Sequence, residues 1–223
     1  DNKIYVKIIS PNFALEYDLD RSKIEERFKK LIRYSDPDKD KKTLFIWPEG
    51  VFSGYSYSEI LIFRDLVLNN FSKKHLILFG TNKLDLDSGN FFNSMLIINN
   101  NFEIIKKYNK RKLVPFGEFL PFGNMLENFG FKKITEGYGS FIKGMENKNL
   151  VIDKLNILPL ICYEVIFTDF IQKARDDTNL VINISEDGWF GKSIGPDQHF
   201  AKSIFRAIEN DTFFIAPFDK LSC

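Results

Sequence analysis

Apolar runs typical of buried β-strands alternate along this chain with segments whose apolar residues have the spacing of a helix. The runs at Thr43–Trp47 and His75–Gly80 have the length of strands, whereas Ser22–Tyr34 carries its apolar residues at helical intervals. Phe92–Asn99 and Phe102–Tyr108 instead follow one another closely and predict a hairpin. Strand–helix alternation that is interrupted by a hairpin favours an α/β fold built on a mixed sheet.

The same periodicities predict the remaining elements. Strands are expected at Ile4–Ile9, twice within Leu150–Ile161, at Leu180–Ile184 and from Phe213, and helices at Tyr57–Asn70, Phe167–Ala174 and Gln198–Asn210. The sequence contains no internal repeat, low-complexity segment or linker. Its 223 residues are enough for one large core, so residues 1–223 are predicted to form a single domain.

Composition narrows the classes of partner and cofactor. The 31 Lys and Arg residues balance 30 Asp and Glu residues, so no nucleic-acid partner is expected. Cys162 and Cys223 are too isolated for a disulfide framework, and His75 and His199 lack the spacing of zinc ligands. We therefore expect no metal and no cofactor. No apolar stretch approaches the roughly 20 residues that span a bilayer, so the chain is expected to be soluble or a soluble piece of something larger.

Three predicted strands each end at a reactive side chain: Glu49, Lys110 and Cys162. Sites in layered α/β proteins gather where strands end. A carboxylate there can take a thiol proton, and an ammonium can hold a developing oxyanion. The thiol can then attack a carbonyl and carry the acyl group as a thioester, with the backbone N–H of Tyr163 as a second oxyanion donor.

Each of these residues also has an ordinary structural interpretation. A free cysteine is often a small buried hydrophobe, and a glutamate after proline usually begins a turn or a helix. Lys110 belongs to the basic run Lys106–Lys112, which is typical of a solvated face. Spacing alone leaves open whether the three side chains converge.

Longer motifs resemble the carbon–nitrogen hydrolase (nitrilase) superfamily and, within it, the apolipoprotein N-acyltransferase family. They are Tyr108–Pro121, Asn183–Gly191, Gly195–His199, Arg206–Glu209 and, more loosely, Ser10–Asn12. Soluble nitrilases share the lysine but generally lack the run Leu-Val-Pro-Phe-Gly-Glu at 113–118. The resemblance implies a four-layer α-β-β-α sandwich with two mixed β-sheets.

Carried over residue by residue, the resemblance implies roles for six side chains. These are the general base Glu49, the oxyanion partner Lys110, the nucleophile Cys162, and the supporting residues Glu118, Tyr163 and Glu164. The implied reaction moves a fatty acyl chain from a phospholipid to Cys162. The acyl chain then passes to the N-terminal amine of the diacylglyceryl-cysteine of a lipoprotein, in two ping-pong steps.

The resemblance also implies a location at the bacterial inner membrane, with this domain on the periplasmic side and in contact with the membrane surface. The transmembrane segments that flank the domain in that family are absent from this sequence. Two alternatives stay open: a soluble amidase or nitrilase that hydrolyses a small amide or nitrile with the same triad, and an inactive domain kept for partner binding.

Aromatic residues are candidates for a substrate lining. Phe116 and Phe119 begin a phenylalanine-rich segment that either lines the acyl-chain entrance and touches the membrane or packs on its own loop. Trp189 and Phe190 either border the site or anchor a turn. His199 is expected to be structural.

Overall fold

The computed structural model describes residues 3–14, 16, 19–115, 117–119, 141–146, 148–169, 177–191 and 193–217. The first sheet has five strands in sequential order. They are β1 (Tyr5–Ile8), β2 (Thr43–Ile46), β3 (His75–Leu84), β4 (Phe91–Asn99) and β5 (Ile104–Asn109). β1, β2 and β3 are parallel, and the β3–β4 and β4–β5 pairs are antiparallel. The predicted hairpin is therefore confirmed as β4–β5.

The second sheet has four strands and is also mixed. They are β6 (Leu150–Ile152), β7 (Leu155–Ile161), β8 (Leu180–Ile184) and β9 (Phe213–Ile215). β6 and β7 are antiparallel, whereas β7, β8 and β9 are parallel. Aliphatic side chains from the two sheets form one buried cluster that includes Leu44, Ile46, Leu78, Ile97, Ile157, Ile161 and Ile182. The two sheets therefore pack face to face, because each has an apolar inner face to remove from water.

Helix α1 (Arg21–Ser35) covers the other face of the first sheet. It begins after Asp20, whose side chain accepts the Lys23 N–H at 2.9 Å and so caps a backbone donor that has no partner within the helix. Its buried face joins an aromatic core that contains Phe28, Phe45, Trp47, Phe52, Phe63, Phe79 and Phe102. The Trp47 indole N–H is satisfied inside this core by the Ser35 hydroxyl at 3.0 Å.

The predicted helix at Tyr57–Asn70 is interrupted. The chain forms α2 (Tyr57–Ile60), a 3-10 turn at Leu61–Phe63, and α3 (Arg64–Asn70). Side chains three residues apart align in a 3-10 turn, so this tightening directs both Ile60 and Phe63 into the aromatic core.

Helix α4 (Gly195–Asn210) provides the outer layer on the second sheet and contacts both β9 and the 3-10 turn Cys162–Ile166. It begins three residues before the predicted start at Gln198, with Pro196 in its first turn, a position where a missing N–H costs nothing. The order helices–sheet–sheet–helix confirms the predicted α/β sandwich. Within the described ranges, no helix has both the length and the apolar character that crossing a bilayer requires.

Two predicted segments lie partly outside the described residues. Of the helix expected at Phe167–Ala174, Phe167, Thr168 and Asp169 are described, and the last two are helical. Of the phenylalanine-rich segment, Phe119 is described, whereas Phe116 and 120–140 are not.

Candidate active site

The three predicted catalytic side chains converge at one edge of the sandwich. Glu49 follows β2, Lys110 follows β5 and Cys162 follows β7. The Lys110 ammonium lies 4.0 Å from Glu49 Oε1. Both of these charges also act on the Cys162 thiol, one raising and one lowering its pKa. The solvated basic face suggested by Lys106–Lys112 is wrong for Lys110, which is only 2% exposed.

Glu118 is the closest carboxylate to Lys110. Its Oε1 accepts from the ammonium at 3.0 Å, while Oε2 accepts the Val114 N–H at 2.9 Å. Burial lowers the pKa of Lys110, but the carboxylates of Glu118 and Glu49 outweigh it and hold that pKa above its usual value. Lys110 therefore remains an ammonium at neutral pH, as an oxyanion partner must.

Asn93, in β4, links the two carboxylates and was missed by the sequence interpretation. Its side-chain nitrogen donates to Glu49 Oε1 and to Glu118 Oε1, each at 2.8 Å. Its backbone carbonyl accepts the Lys110 N–H at 2.8 Å. The only signal in the sequence is a polar residue, Asn93, near the start of a largely apolar strand.

Glu49 has the contacts and environment of a general base. Burial raises its pKa, Lys110 lowers it, and Glu118 raises it again. Its Oε2 also accepts the Glu186 N–H at 3.2 Å, which fixes the carboxylate in one orientation. A raised pKa makes the ionised carboxylate a stronger proton acceptor than a solvated one.

Gly80 allows β3 to pass directly beneath Glu49. A Cβ added at this glycine would lie 2.9 Å from Glu49 Cα and 3.0 Å from Ile184 Cδ1. The distance to the Glu49 backbone is too short for a side chain and the one to Ile184 is tight, so the position of the carboxylate depends on the absence of a side chain at residue 80.

Cys162 is the first residue of the 3-10 turn after β7 and has a left-handed backbone with a φ of +50°. Burial and the nearby Glu49 carboxylate raise the pKa of its thiol to about 12, against the lowering effect of Lys110 and Ser185. The resting side chain of Cys162 is therefore a neutral thiol. Attack on a carbonyl then requires a base to remove its proton, which is the role available to Glu49.

Glu164 is a buried connector between the strands that carry Lys110 and Cys162. Its carboxylate accepts the Tyr108 hydroxyl at 2.9 Å, the Arg111 N–H at 2.7 Å, the Lys112 N–H at 3.0 Å and the Ile161 N–H at 2.9 Å. These bonds tie the chain after β5 to the end of β7. Tyr163 is partly buried and packs edge-on against Phe167, with ring centroids 5.4 Å apart.

The predicted lining residues are described only in part. Phe119 is partly buried, with the Lys143 ammonium 5.8 Å from its ring centroid. Phe190 is 36% exposed, and its ring lies 6.2 Å from that of His199. Phe116 and the side chain of Trp189 lie outside the described residues.

His199 contacts the backbone of Cys162 directly. Its Nε2 lies 2.9 Å from the Cys162 carbonyl oxygen, and its Nδ1 lies 3.0 Å from Asp187 Oδ1. Across the part of the chain that the structure describes, no group of three or more His, Cys, Asp and Glu side chains is arranged to hold a metal ion.

A family model described as "Carbon-nitrogen hydrolase" matches residues 17–219 of this chain. The chain belongs to the carbon–nitrogen hydrolase family. This carbon–nitrogen hydrolase is 32% identical to the apolipoprotein N-acyltransferase of Rhodopseudomonas palustris over 221 residues, which is 93% of this chain and 41% of that relative. It is 42% identical to the apolipoprotein N-acyltransferase of Rickettsia typhi over 132 residues, or 58% of this chain and 26% of that relative. The chain thus spans less than half the length of the curated relatives it matches.

Solved structures of the nitrilase superfamily share the fold of this carbon–nitrogen hydrolase. The NitFhit protein of C. elegans has a TM-score of 0.66 at 20% identity, covering 96% of this chain and 50% of that one. Saccharomyces cerevisiae Nit3 has a TM-score of 0.66 at 17% identity, covering 99% of this chain and 78% of that one. At these identities the likeness establishes the nitrilase-like fold that was predicted.

Proposed function

We propose that this chain is the catalytic part of an apolipoprotein N-acyltransferase that works through a thioester on Cys162. The observation that carries this proposal is that a partly buried carboxylate, a buried ammonium and a partly buried thiol meet at one edge of a carbon–nitrogen hydrolase fold. The curated relatives at 30% identity or more over most of the chain are named for this activity. Glu49 is the base, Lys110 the oxyanion partner and Cys162 the nucleophile, with Glu118, Tyr163 and Glu164 in support.

The first step loads the enzyme. Glu49 accepts the thiol proton as the Cys162 sulfur forms a bond to the carbonyl carbon of a phospholipid ester. Lys110 stabilises the negative charge that develops on the carbonyl oxygen. The ester C–O bond then breaks, and the lysophospholipid leaves with the proton from Glu49.

The second step transfers the acyl group from Cys162 to the acceptor. The α-amine of a diacylglyceryl-cysteine attacks the thioester and gives up a proton to Glu49. The C–S bond breaks, and the Cys162 sulfur recovers a proton from the same carboxylate. The products are an N-acylated lipoprotein and the free thiol, so no cofactor or metal is consumed.

Both substrates carry acyl chains, so the proposed working position is at the membrane surface, on the periplasmic side of a bacterial inner membrane. Phe119 and Phe190 are the described members of the aromatic group that we assign to the substrate entrance.

The decisive experiment is the mass of the intact protein after incubation with phospholipid vesicles. We expect one added acyl group, located on Cys162 and removed by hydroxylamine, which cleaves thioesters. Addition of a diacylglyceryl peptide should transfer that group to the peptide amine. Lys107→Ala, an exposed change on β5, serves as the control and should load normally.

Two outcomes would overturn the proposal. A Cys162→Ala protein that still gains the acyl mass would place the chemistry elsewhere. A wild-type protein that hydrolyses a small amide or nitrile through Cys162, yet never loads an acyl chain from vesicles, would identify a soluble amidase or nitrilase.

A further inference from the structure

The backbone of the nucleophile is strained and needs a partner to hold it. Cys162 has a φ of +50°, a conformation that costs a residue with a side chain about 1–2 kcal/mol. Its carbonyl oxygen accepts from His199 Nε2 at 2.9 Å, a contact from helix α4 that lies 37 residues away in sequence.

His199 is itself held from its other side. Its Nδ1 lies 3.0 Å from Asp187 Oδ1, and the same carboxylate oxygen accepts the Ser185 hydroxyl at 2.5 Å. His199, Asp187 and Ser185 are all buried, so the chain of bonds is shielded from water. Few other orientations of the imidazole ring keep both the Nε2 contact with Cys162 and the Nδ1 contact with Asp187.

The partners fix the protonation state of the ring. A carbonyl oxygen only accepts hydrogen bonds, so Nε2 carries a proton. Burial lowers the pKa of His199, but the contacts with Asp187 and with the Cys162 carbonyl outweigh it and raise that pKa, which favours the imidazolium. A charged donor on the Cys162 carbonyl makes a stronger hydrogen bond than a neutral one.

The planarity of the peptide bond transmits this contact to the active site. The Cys162 carbonyl and the Tyr163 N–H belong to one rigid plane and point in opposite directions. A hydrogen bond that fixes the Cys162 carbonyl therefore also fixes the direction of the Tyr163 N–H. A donor on the carbonyl also polarises the peptide, which strengthens the N–H as a donor in turn.

We infer that His199 is a positioning residue for the oxyanion hole: it holds the Cys162–Tyr163 peptide so that the Tyr163 N–H points to the oxygen of the acyl group that Cys162 attacks. Asp187 keeps the ring charged and oriented. This inference rests on the proposed acyl transfer, but it concerns one peptide plane and applies to any acyl group that Cys162 receives.

Two reactions of Cys162 separate this role from a purely structural one. Acylation by the p-nitrophenyl ester of a short fatty acid passes through a tetrahedral oxyanion. Alkylation by iodoacetamide is a displacement at a saturated carbon and develops no such oxyanion. Loss of an oxyanion-hole donor costs about 10²–10³-fold in rate, so only the acylation by the ester should become slower.

For His199→Leu we expect acylation to fall about 10²-fold while alkylation stays within about 3-fold of wild type. His199→Gln keeps an amide N–H for the Cys162 carbonyl and should recover at least about tenfold of the loss. Asp187→Asn leaves the ring uncharged and should lower acylation selectively, even where His199→Leu folds poorly.

His75→Gln is the matched control. This buried histidine also has Nε2 near a backbone carbonyl, that of Asp38 at 2.8 Å, but it lies at the start of β3, the opposite end of the sheet from Glu49. It should leave both reactions unchanged.

The outcomes distinguish the two hypotheses. Equal loss of acylation and alkylation in folded His199→Leu and Asp187→Asn, with an active wild type, overturns the role of His199 and leaves acyl transfer standing. A wild type that is alkylated but never acylated overturns acyl transfer and, with it, the need for an oxyanion hole.

Discussion

The Lys110 ammonium lies 3.0 Å from Glu118 Oε1. Glu49, the proposed base, is farther from the ammonium, at 4.0 Å. Glu118 therefore satisfies most of the charge on Lys110, and Glu49 keeps more of its capacity to accept a proton. Two carboxylates around one ammonium leave an excess negative charge in a buried site, which is costly unless the site uses it. In the proposed reaction, that charge serves to deprotonate the Cys162 thiol.

Removing the charge of Glu118 should weaken the base. Burial raises the pKa of Glu49, Lys110 lowers it and Glu118 raises it, so Glu118→Gln removes one of the two influences that hold this pKa up. The pKa of Glu49 falls. Because acylation requires ionised Glu49, the acid limb of its pH–rate profile should move to lower pH, and the plateau rate should fall at least about tenfold. The measurement is ester acylation of Cys162 against pH.

Glu118→Asp provides the control for charge, because it keeps the carboxylate and changes only its reach. Its acid limb should stay close to that of the wild type. An unmoved acid limb in Glu118→Gln would contradict the division of roles between the two glutamates.

The amide of Asn93 should matter because it is the shared donor to both carboxylates. In Asn93→Ala, Glu49 and Glu118 each lose a hydrogen bond at 2.8 Å. An unsatisfied buried acceptor costs about 1–3 kcal/mol, so acylation should fall about 10–10²-fold. Asn69→Ala, an exposed change in α3, should leave the acylation rate unchanged. Equal acylation rates in Asn93→Ala and Asn69→Ala would remove Asn93 from the site.

The strand ends were predictable because parallel strands deliver their last residues to one edge, and apolar runs mark those strands in the sequence. The role of Asn93 was not predictable, because the sequence of one strand does not reveal which distant carboxylates its amide will contact. The four donors to Glu164 come from Tyr108–Lys112 and from Ile161, which are distant in sequence, and only the paired sheets bring them together. The 3-10 turn at Leu61–Phe63 was missed for a similar reason: the core behind it selects the tighter winding.

Gly80→Ala should separate activity from stability. The new methyl group would press on Glu49 Cα at 2.9 Å and on Ile184 Cδ1 at 3.0 Å. Overpacking of this kind costs about 1–3 kcal/mol of unfolding free energy, and the displaced carboxylate should slow acylation more than tenfold.

Gly89→Ala is the contrasting control for Gly80. Gly89 has a φ of +69° and nothing within 4 Å of an added Cβ. Its substitution should lower the unfolding free energy by about 1–2 kcal/mol through backbone strain and leave acylation unchanged. Similar acylation rates in both variants would show that the contact with Glu49 is unimportant.

The pKa of the Cys162 thiol should shift in opposite directions in two variants. Glu49 raises its pKa and Lys110 lowers it, so Glu49→Gln should bring the pKa down from about 12 and Lys110→Met should push it higher. Thiolate absorbance, measured as the difference from Cys162→Ser, reports the change. Acylation should nevertheless fall in both variants, because the first loses its base and the second its oxyanion partner.

The raised pKa of the Cys162 thiol also predicts that the unfolding free energy falls as the pH rises above 9. The folded-state pKa of Cys162 is raised from 9.0 to about 12, so the neutral thiol contributes its full stabilising effect below pH 9 and loses it as the pH rises towards 12. The unfolding free energy of the wild type should therefore fall faster than that of Cys162→Ser over this range, as urea titrations at several pH values would reveal. Parallel curves for the two proteins would mean that folding does not raise the pKa of Cys162.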